Sequence, residues 1–227
     1  MPDIYLHKRP ECLTNDTVHH LLIHLPCEEH ARIKKQKKQL IDQYRSAAGV
    51  LLAMHMFDLY CGHKNYHFQR NANGKPIIKS DTPFAFNLSH SGQWIAGVAS
   101  IERMIIGIDI EEIKPVPGWL MKDSNIFTHD ERRWLFESEC PTERFYTLWT
   151  AKESCLKAMG TGLVDELHKI TIDNTRKFIR NKLENTIYHF IPYDEIPQYK
   201  LTVSAHQPIS PSPVTYVSQS DLFDVPS

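Results

Sequence analysis

Four places in the sequence combine residue types and spacing that suit chemistry on a charged substrate. The first is Gly107-Ile108-Asp109-Ile110-Glu111. Side chains alternate faces along a strand, so Asp109 and Glu111 share one side while Ile108 and Ile110 point the other way, into a core. Two carboxylates on one face repel each other unless a cation sits between them, and such an oxygen-rich pair suits Mg²⁺, which keeps several of its waters. The plainer reading of the same residues is a half-exposed edge strand with solvated acids. The second place is Trp149-Thr150-Ala151-Lys152-Glu153-Ser154-Cys155-Leu156-Lys157-Ala158. On a helix, Trp149, Glu153 and Lys157 fall on one face. With Trp149 anchoring that face, Glu153 and Lys157 sit at the edge of the core. Taken alone they are an ordinary helical ion pair worth about 0.3–0.5 kcal/mol. If Glu153 joins Asp109 and Glu111, three acids form a metal site, and Lys157 stands about one turn away, placed to neutralise a phosphate.

The third place is Phe86-Asn87-Leu88-Ser89-His90-Ser91-Gly92, a strand expected to end in a small polar turn where a backbone can approach a phosphate. Adjacent side chains diverge, so Ser89 and His90 make no nucleophilic dyad, and the absence of Gly-x-Ser-x-Gly sets serine-hydrolase chemistry aside. The plain reading of His90 is a turn histidine. The fourth place is basic: the run from Arg32 to Lys38, then Arg45, then Lys75 in a Gly-Lys-Pro turn. A charge run is usually a solvated face. Arg45 differs because it is expected to open an apolar helix, and Lys75 because a tight turn can present it to an anion.

The elements that must position these residues follow from periodicity. Residues 16–25 read as a short apolar stretch ending at Pro26, and a basic helix starts near Glu28. A second helix is predicted from Arg45 to about Tyr60, with Ala47, Val50, Leu51, Met54 and Phe57 on one face and a stop at Cys61-Gly62. Strands are predicted at Phe84–Ser89, Trp94–Ser100 and Met104–Ile110, the last two as neighbours joined by residues 100–103. Lys114-Pro115-Val116-Pro117-Gly118 reads as a break between two halves. Helices are predicted at Thr128–Glu139 and Thr142–Met159, the second stopping at Gly160-Thr161-Gly162. Strands at Lys169–Asp173, Thr186–Ile191, Tyr199–Ala205 and Val214–Ser218 complete a mixed α+β chain with antiparallel sheets.

Composition narrows the function classes. The 227 residues carry 26 basic and 27 acidic side chains, a net charge of −1, which argues against a general nucleic-acid coat. That neutrality is a cancellation: residues 1–106 hold 13 basic and 9 acidic side chains, residues 107–227 hold 13 and 18. A basic first half suits phosphates and an acidic second half suits metal ligation, with the substrate expected across the junction near residue 107. Five widely spaced cysteines without a Cys-x-x-Cys pair fit a reduced, cytoplasmic chain. No signal peptide is apparent, and the longest apolar run, Ala47 to Met54, is far short of the ~20 residues of a membrane span.

Taken in chain order, Gly74-Lys75-Pro76, the segment 86–92, the segment 107–111 and the segment 149–158, with Gly160-Thr161-Gly162-Leu163 after the last, resemble the motifs of the Sfp-type 4′-phosphopantetheinyl transferases. Tyr44–Gly49 and Tyr199–Ala205 extend the resemblance over nearly the whole chain. The resemblance implies an α+β pseudo-dimer of two similar halves, each a small antiparallel sheet packed with helices, here residues 1–106 for coenzyme A phosphate binding and 107–227 for the metal ligands and catalytic helix. It implies transfer of the 4′-phosphopantetheine arm of coenzyme A to a serine of an apo acyl, peptidyl or polyketide carrier protein, with release of adenosine 3′,5′-bisphosphate. A Mg²⁺-dependent, monomeric, cytoplasmic enzyme serving nonribosomal peptide and polyketide synthesis is the family expectation, with neither nucleic acid nor membrane as partner. Asp109, Glu111 and Glu153 would be the metal ligands. Glu153 and Lys157 would be catalytic. Arg32, Arg45, Lys75, Ser89, His90 and Lys157 would contact coenzyme A, and Glu131 matches an acid that supports the family's site. The chain departs from the family at Glu28-Glu29-His30, where a second lysine can stand. A Mg²⁺-dependent phosphohydrolase or nuclease using the same three acids, and a non-catalytic carrier-binding module, remain as alternatives.

Overall fold

A computed structural model describes residues 1–62, 66–162, 166–173, 175 and 177–223. Leu163 of the Gly-Thr-Gly-Leu segment lies outside the described residues. The chain forms two compact units, one of residues 2–103 together with 212 onward, the other Met104–Pro211. The division differs from the expected break at 106/107 in two ways. It falls at 103/104, and the C-terminal segment belongs with the N-terminal unit. The cause of the second is strand pairing: Ile4 to His7 pair in parallel with Val214 to Val217, and the Ser212 hydroxyl donates to the Pro2 carbonyl at 2.6 Å.

In the first unit, β1 (Asp3–Lys8), β4 (Ala85–Ser91), β5 (Trp94–Ser100) and β11 (Val214–Val217) form one sheet in the order β11-β1-β5-β4. All its pairs are antiparallel except β1 with β11, where antiparallel pairing was expected throughout. Helices α1 (Asn15–Ile23), α2 (Cys27–Gln36) and α3 (Leu40–Cys61) precede a separate hairpin, β2 (His67–Arg70) and β3 (Pro76–Lys79). Helix α3 begins five residues before Arg45, so Arg45 lies inside the helix and does not open it. The apolar face starts a turn earlier, at fully buried Tyr44, and Gln39 caps the helix without a side-chain bond, so the start carries no sequence signal. The stop is as read: Gly62 takes φ +60°, the left-handed turn that favours glycine, and its N–H returns to Asp58 at 2.9 Å. Helix α3 packs Ala48, Leu51, Leu52 and Phe57 against Tyr5, Phe86, Ile95 and Ala99 of the sheet.

In the second unit, β6 (Ile106–Glu112), β7 (Ile170–Asp173), β8 (Phe178–Asn181), β9 (Thr186–Tyr193) and β10 (Tyr199–Ala205) form an antiparallel sheet in the order β6-β10-β9-β8-β7. Strands β5 and β6 are therefore not neighbours, contrary to expectation. Both edges of β5 are taken by β1 and β4, and β6 pairs with β10. Helices α4 (Gly118–Met121) and α5 (His129–Phe136) lead to α6 (Pro141–Met159), which lies on β6 and β10 and ends at Gly160, φ +73°. Thr128 and Glu131 form a reciprocal cap on α5. Each unit is thus an antiparallel-type sheet carrying one long helix, the α+β arrangement expected. Among the described residues no helix is long and apolar enough to cross a membrane, and none of the five cysteines is disulfide-bonded.

Candidate active site

The acids and the lysine singled out on β6 and α6 lie where α6 rests on the edge strand β6. The approach is close because the facing residues are small. A Cβ added at Gly107 would stand 2.0 Å from the Ser154 carbonyl oxygen and 2.5 Å from the Ala158 nitrogen. Beside it, Thr150 and Thr202 hydroxyls hydrogen-bond at 2.8 Å, and Ser154 and Ser204 hydroxyls at 2.6 Å. Thr202 and Ser204 are the cross-strand partners of Asp109 and Gly107, so glycine, carboxylate and hydroxyls occupy the same face of the sheet. These hydroxyl contacts escaped the sequence reading. Their signal was present as Thr150, Ser154 and Ala158 at four-residue spacing opposite Thr202 and Ser204.

This packing brings Asp109 against Lys157, whose ammonium donates to Asp109 Oδ1 at 2.6 Å. Asp109 is only 2% exposed, so the plain reading of a solvated edge-strand acid fails for it. Lys157 reaches across to the strand, where the sequence alone offered a bond to Glu153 one turn back. Glu153 is half-buried, and its Oε1 is shielded from solvent without a hydrogen-bond partner among the described residues. The Glu153 carboxyl is raised to about 7, first by burial and then by Asp109, against a downward pull from Lys157 and with a smaller rise from Glu111. A carboxyl that titrates near neutrality can hold or release a proton at working pH.

As a donor set, Asp109, Glu111 and Glu153 fit a hard divalent cation: three oxygen ligands, mutually repelling, one with a buried oxygen unsatisfied. Among the described residues no three acidic, imidazole or thiolate groups are gathered in a metal-holding arrangement. In this geometry the Lys157 ammonium is the cation that answers Asp109.

The helix is braced from behind. Lys152, fully buried, donates to Glu131 Oε2 at 2.9 Å and to the carbonyls of Leu167 and Ile170 at 3.1 and 2.6 Å, satisfying all three of its protons. Glu131 also accepts from the backbone of Thr128 and Ile172. The acid expected to support the site thus holds the buried residue next to Glu153 in sequence.

The remaining expected residues lie in the other unit. Ser89 and His90 sit on opposite faces of β4, Ser89 buried and His90 exposed. The strand continues through Ser91, so His90 is a strand residue and not part of a turn. Arg45 donates to the Gly92 carbonyl at 2.6 Å, at the hairpin turn that follows, and its buried Nε has no partner among the described residues. Lys75 is half-buried at the tip of the β2–β3 hairpin, and burial lowers its ammonium below the usual lysine range. Arg32 is turned onto Glu29, its Nε and Nη2 donating at 3.0 and 2.7 Å. The same carboxylate accepts from Arg70, a residue the sequence did not single out.

An edge strand bearing paired acids thus lies beneath a helix bearing an acid and a lysine. Comparison with known proteins gives the class. Residues 105–204 match the 4′-phosphopantetheinyl transferase superfamily, and residues 13–102 match the 4′-phosphopantetheinyl transferase N-terminal family. The chain is 36% identical over 138 residues to the 4′-phosphopantetheinyl transferase psf-1 of Bacillus pumilus, covering 58% of this chain and 57% of that one. It is 31% identical to gsp of Aneurinibacillus migulanus over 70% of this chain and 66% of that one. To Sfp of Bacillus subtilis it is 31% identical over 69% of this chain and 70% of that protein. The matched region spans less than two thirds of the first two relatives' own length. The chain belongs to the 4′-phosphopantetheinyl transferase superfamily.

Proposed function

We propose that the chain transfers the 4′-phosphopantetheine arm of coenzyme A to a serine of an apo carrier protein and releases adenosine 3′,5′-bisphosphate. The observation that carries the reading is the Asp109–Lys157–Glu153 group, held where β6 and α6 approach closely at Gly107. The carrier serine oxygen attacks the pantetheine-side phosphorus, the phosphoanhydride bond breaks, and the bisphosphate leaves. Such a reaction is governed by positioning and charge neutralisation. Glu153 Oε1 takes the serine proton, a role that its raised carboxyl suits near neutral pH. Lys157 faces the pyrophosphate and neutralises charge on the leaving group. Mg²⁺, held by Asp109, Glu111 and Glu153, would supply Lewis-acid stabilisation of the pyrophosphate oxygens. Arg45, Lys75, Ser89 and His90 bind coenzyme A, and Arg32 belongs to its basic surroundings. Acyl, peptidyl and polyketide carriers are the acceptor class, and the protein acts as a cytoplasmic monomer in nonribosomal peptide and polyketide synthesis.

The test mixes the protein with coenzyme A, Mg²⁺ and several apo carriers, read by carrier mass. A gain equal to the phosphopantetheine arm is expected. Hydrolysis of coenzyme A with unlabelled carrier would instead identify a phosphohydrolase, and Mg²⁺-dependent coenzyme A binding without either reaction a binding module. Glu153→Gln should nearly abolish labelling while its melting temperature stays at or above that of the unaltered protein, because burial and the Asp109 and Glu111 charges together outweigh Lys157 and disfavour the Glu153 carboxylate. Near-normal turnover of Glu153→Gln at saturating Mg²⁺ refutes the assignment of the base.

A further inference from the structure

Glu29 is 6% exposed, an uncommon setting for a carboxylate on a helix as polar as α2. It is compensated by two guanidinium groups. Arg32, one turn along α2, donates Nε and Nη2 to it. Arg70, at the end of β2, donates Nε to Oε1 at 2.7 Å and Nη2 to Oε2 at 2.9 Å, a two-bonded fork that fixes orientation as well as distance. Burial would raise the Glu29 carboxyl; the bonds from Arg70 and then Arg32 outweigh it and hold it below the usual range.

The fork leaves Arg70 Nη1 free to act on the hairpin turn, and it donates to the Gly74 carbonyl at 2.8 Å. The rest of that turn is equally determined. Asn71 Oδ1 accepts from the backbone N–H groups of Asn73 and Lys75 at 3.0 and 2.9 Å. The Asn71 and Gly74 N–H groups close the loop onto Lys75 and Asn71 carbonyls, and Gly74 takes φ +80°. Arg70 pairs across the hairpin with Pro76, so it and Gly74-Lys75-Pro76 are one structural piece. That hairpin is a two-stranded sheet of its own, and two-stranded hairpins are marginal unless packed or tied. Phe68 and Ile78 pack its strands into the core, and Glu29 adds a polar tie at the end that carries the turn. Arg70 commits Nε, Nη1 and Nη2 to protein acceptors, which makes it a fixture of the fold more than a surface cation awaiting a ligand.

We propose that the Glu29–Arg70 clamp is a positioning device that ties the hairpin to α2 and so fixes the Gly74-Lys75 turn for coenzyme A, with Arg70 as a positioning residue. The acidic Glu28-Glu29 stretch that departs from the family pattern is then not a defect in a basic helix. Its second acid turns inward and holds an arginine from another element. The inference rests on the reading that Lys75 contacts coenzyme A.

Arg70→Ala, Arg70→Lys, Glu29→Gln, Lys75→Ala and the Arg70→Ala/Lys75→Ala double variant are compared by calorimetric titration with coenzyme A, steady-state carrier labelling and thermal melting. Arg70→Ala and Glu29→Gln are expected to raise the coenzyme A Kd and KM about tenfold, with kcat changed less than about twofold, the scale of effect of a misplaced contact. Arg70→Lys, which keeps the charge but loses the fork, should fall between. The double variant should bind no more than about twofold weaker than Lys75→Ala alone, because the clamp acts through Lys75. Equal loss from Arg70→Ala with and without Lys75, or wild-type affinity in Arg70→Ala while Lys75→Ala binds weakly, overturns the clamp and leaves the reading of Lys75 intact. Unchanged affinity in Lys75→Ala overturns the reading itself. Should Arg70→Ala melt early, Arg70→Lys and Glu29→Gln carry the same comparison at a temperature where they are folded.

Discussion

At the scale of the residue, the centre of the site is a balance of charge within a few side chains. Asp109 is nearly inaccessible to solvent and relies on the Lys157 ammonium at 2.6 Å. Removing one partner of a buried pair leaves the other charge without solvent or counter-ion, and that loss exceeds the worth of the pair itself. Lys157 is about one third exposed, so water can partly take its place. Lys157→Met should therefore destabilise the protein by about 1–3 kcal/mol. The measurement is the urea midpoint at neutral pH, with an unchanged slope showing that the unfolding remains the same process. No shift in midpoint would mean that Asp109 is satisfied by other groups. At this scale the sequence was informative about identity and weak about pairing. Asp109, Glu111, Glu153 and Lys157 were picked by type and period. A helix wheel put Lys157 beside Glu153, whereas the partner it reaches, Asp109, is 48 residues away. Arg70 was missed because its role depends on a carboxylate 41 residues earlier, which no local pattern reveals.

At the scale of the element, the site depends on how closely α6 can lie on β6. Gly107 and the hydroxyl pairs Thr150–Thr202 and Ser154–Ser204 permit that approach. Gly107→Ala would force backbone against backbone, which cannot yield as a flexible side chain can. A loss at or above the upper end of the ~1–3 kcal/mol typical of overpacking is expected, with transfer activity lost because Asp109 and Glu153 part. Gly49 is the contrast. It lies inside α3, and a Cβ there would meet Leu88 at 3.7 Å, an ordinary contact. Gly49→Ala should be neutral or stabilising by up to ~1 kcal/mol, since alanine is the better helix former. Melting curves for the two variants test the pair, and similar losses in both would refute the packing argument. Elements with a clear period or a glycine stop, such as α3, α6 and β10, were legible in the sequence. The partnership of β5 and β6 was not. Hydrophobic alternation marks a strand but is silent on its neighbour, and closeness in sequence stood in for pairing that β1, β4 and β10 had already taken. Strand β8 is four residues long with one buried side chain pair, too short for a period to register.

At the scale of the whole molecule, the first and last strands are knitted into one sheet. Strand β11 adds in parallel to β1, and the joint is sealed by His7. This imidazole is 1% exposed; one ring nitrogen bonds the Val217 carbonyl at 3.0 Å and the other the Tyr44 hydroxyl at 2.8 Å. One histidine thus couples the first strand, the last strand and the long helix α3. Burial lowers its pKa from the ordinary 6.5, against smaller upward pulls from the Val217 carbonyl bond and Asp221. The folded state therefore takes up the proton at lower pH than the unfolded chain does. Between the two values the unfolded chain binds more protons, so stability rises with pH there. The contribution of neutral His7 is fully present above about pH 6.5 and is lost as pH falls below it. Comparing the protein with His7→Gln isolates this effect from the acid titration of the carboxylates, which both share. Denaturant midpoints measured from pH 7.5 down to pH 5 should fall more steeply for the unaltered protein than for His7→Gln. Parallel midpoint curves for the two proteins would mean that protonating His7 costs the fold nothing, and that the first and last strands are held without it.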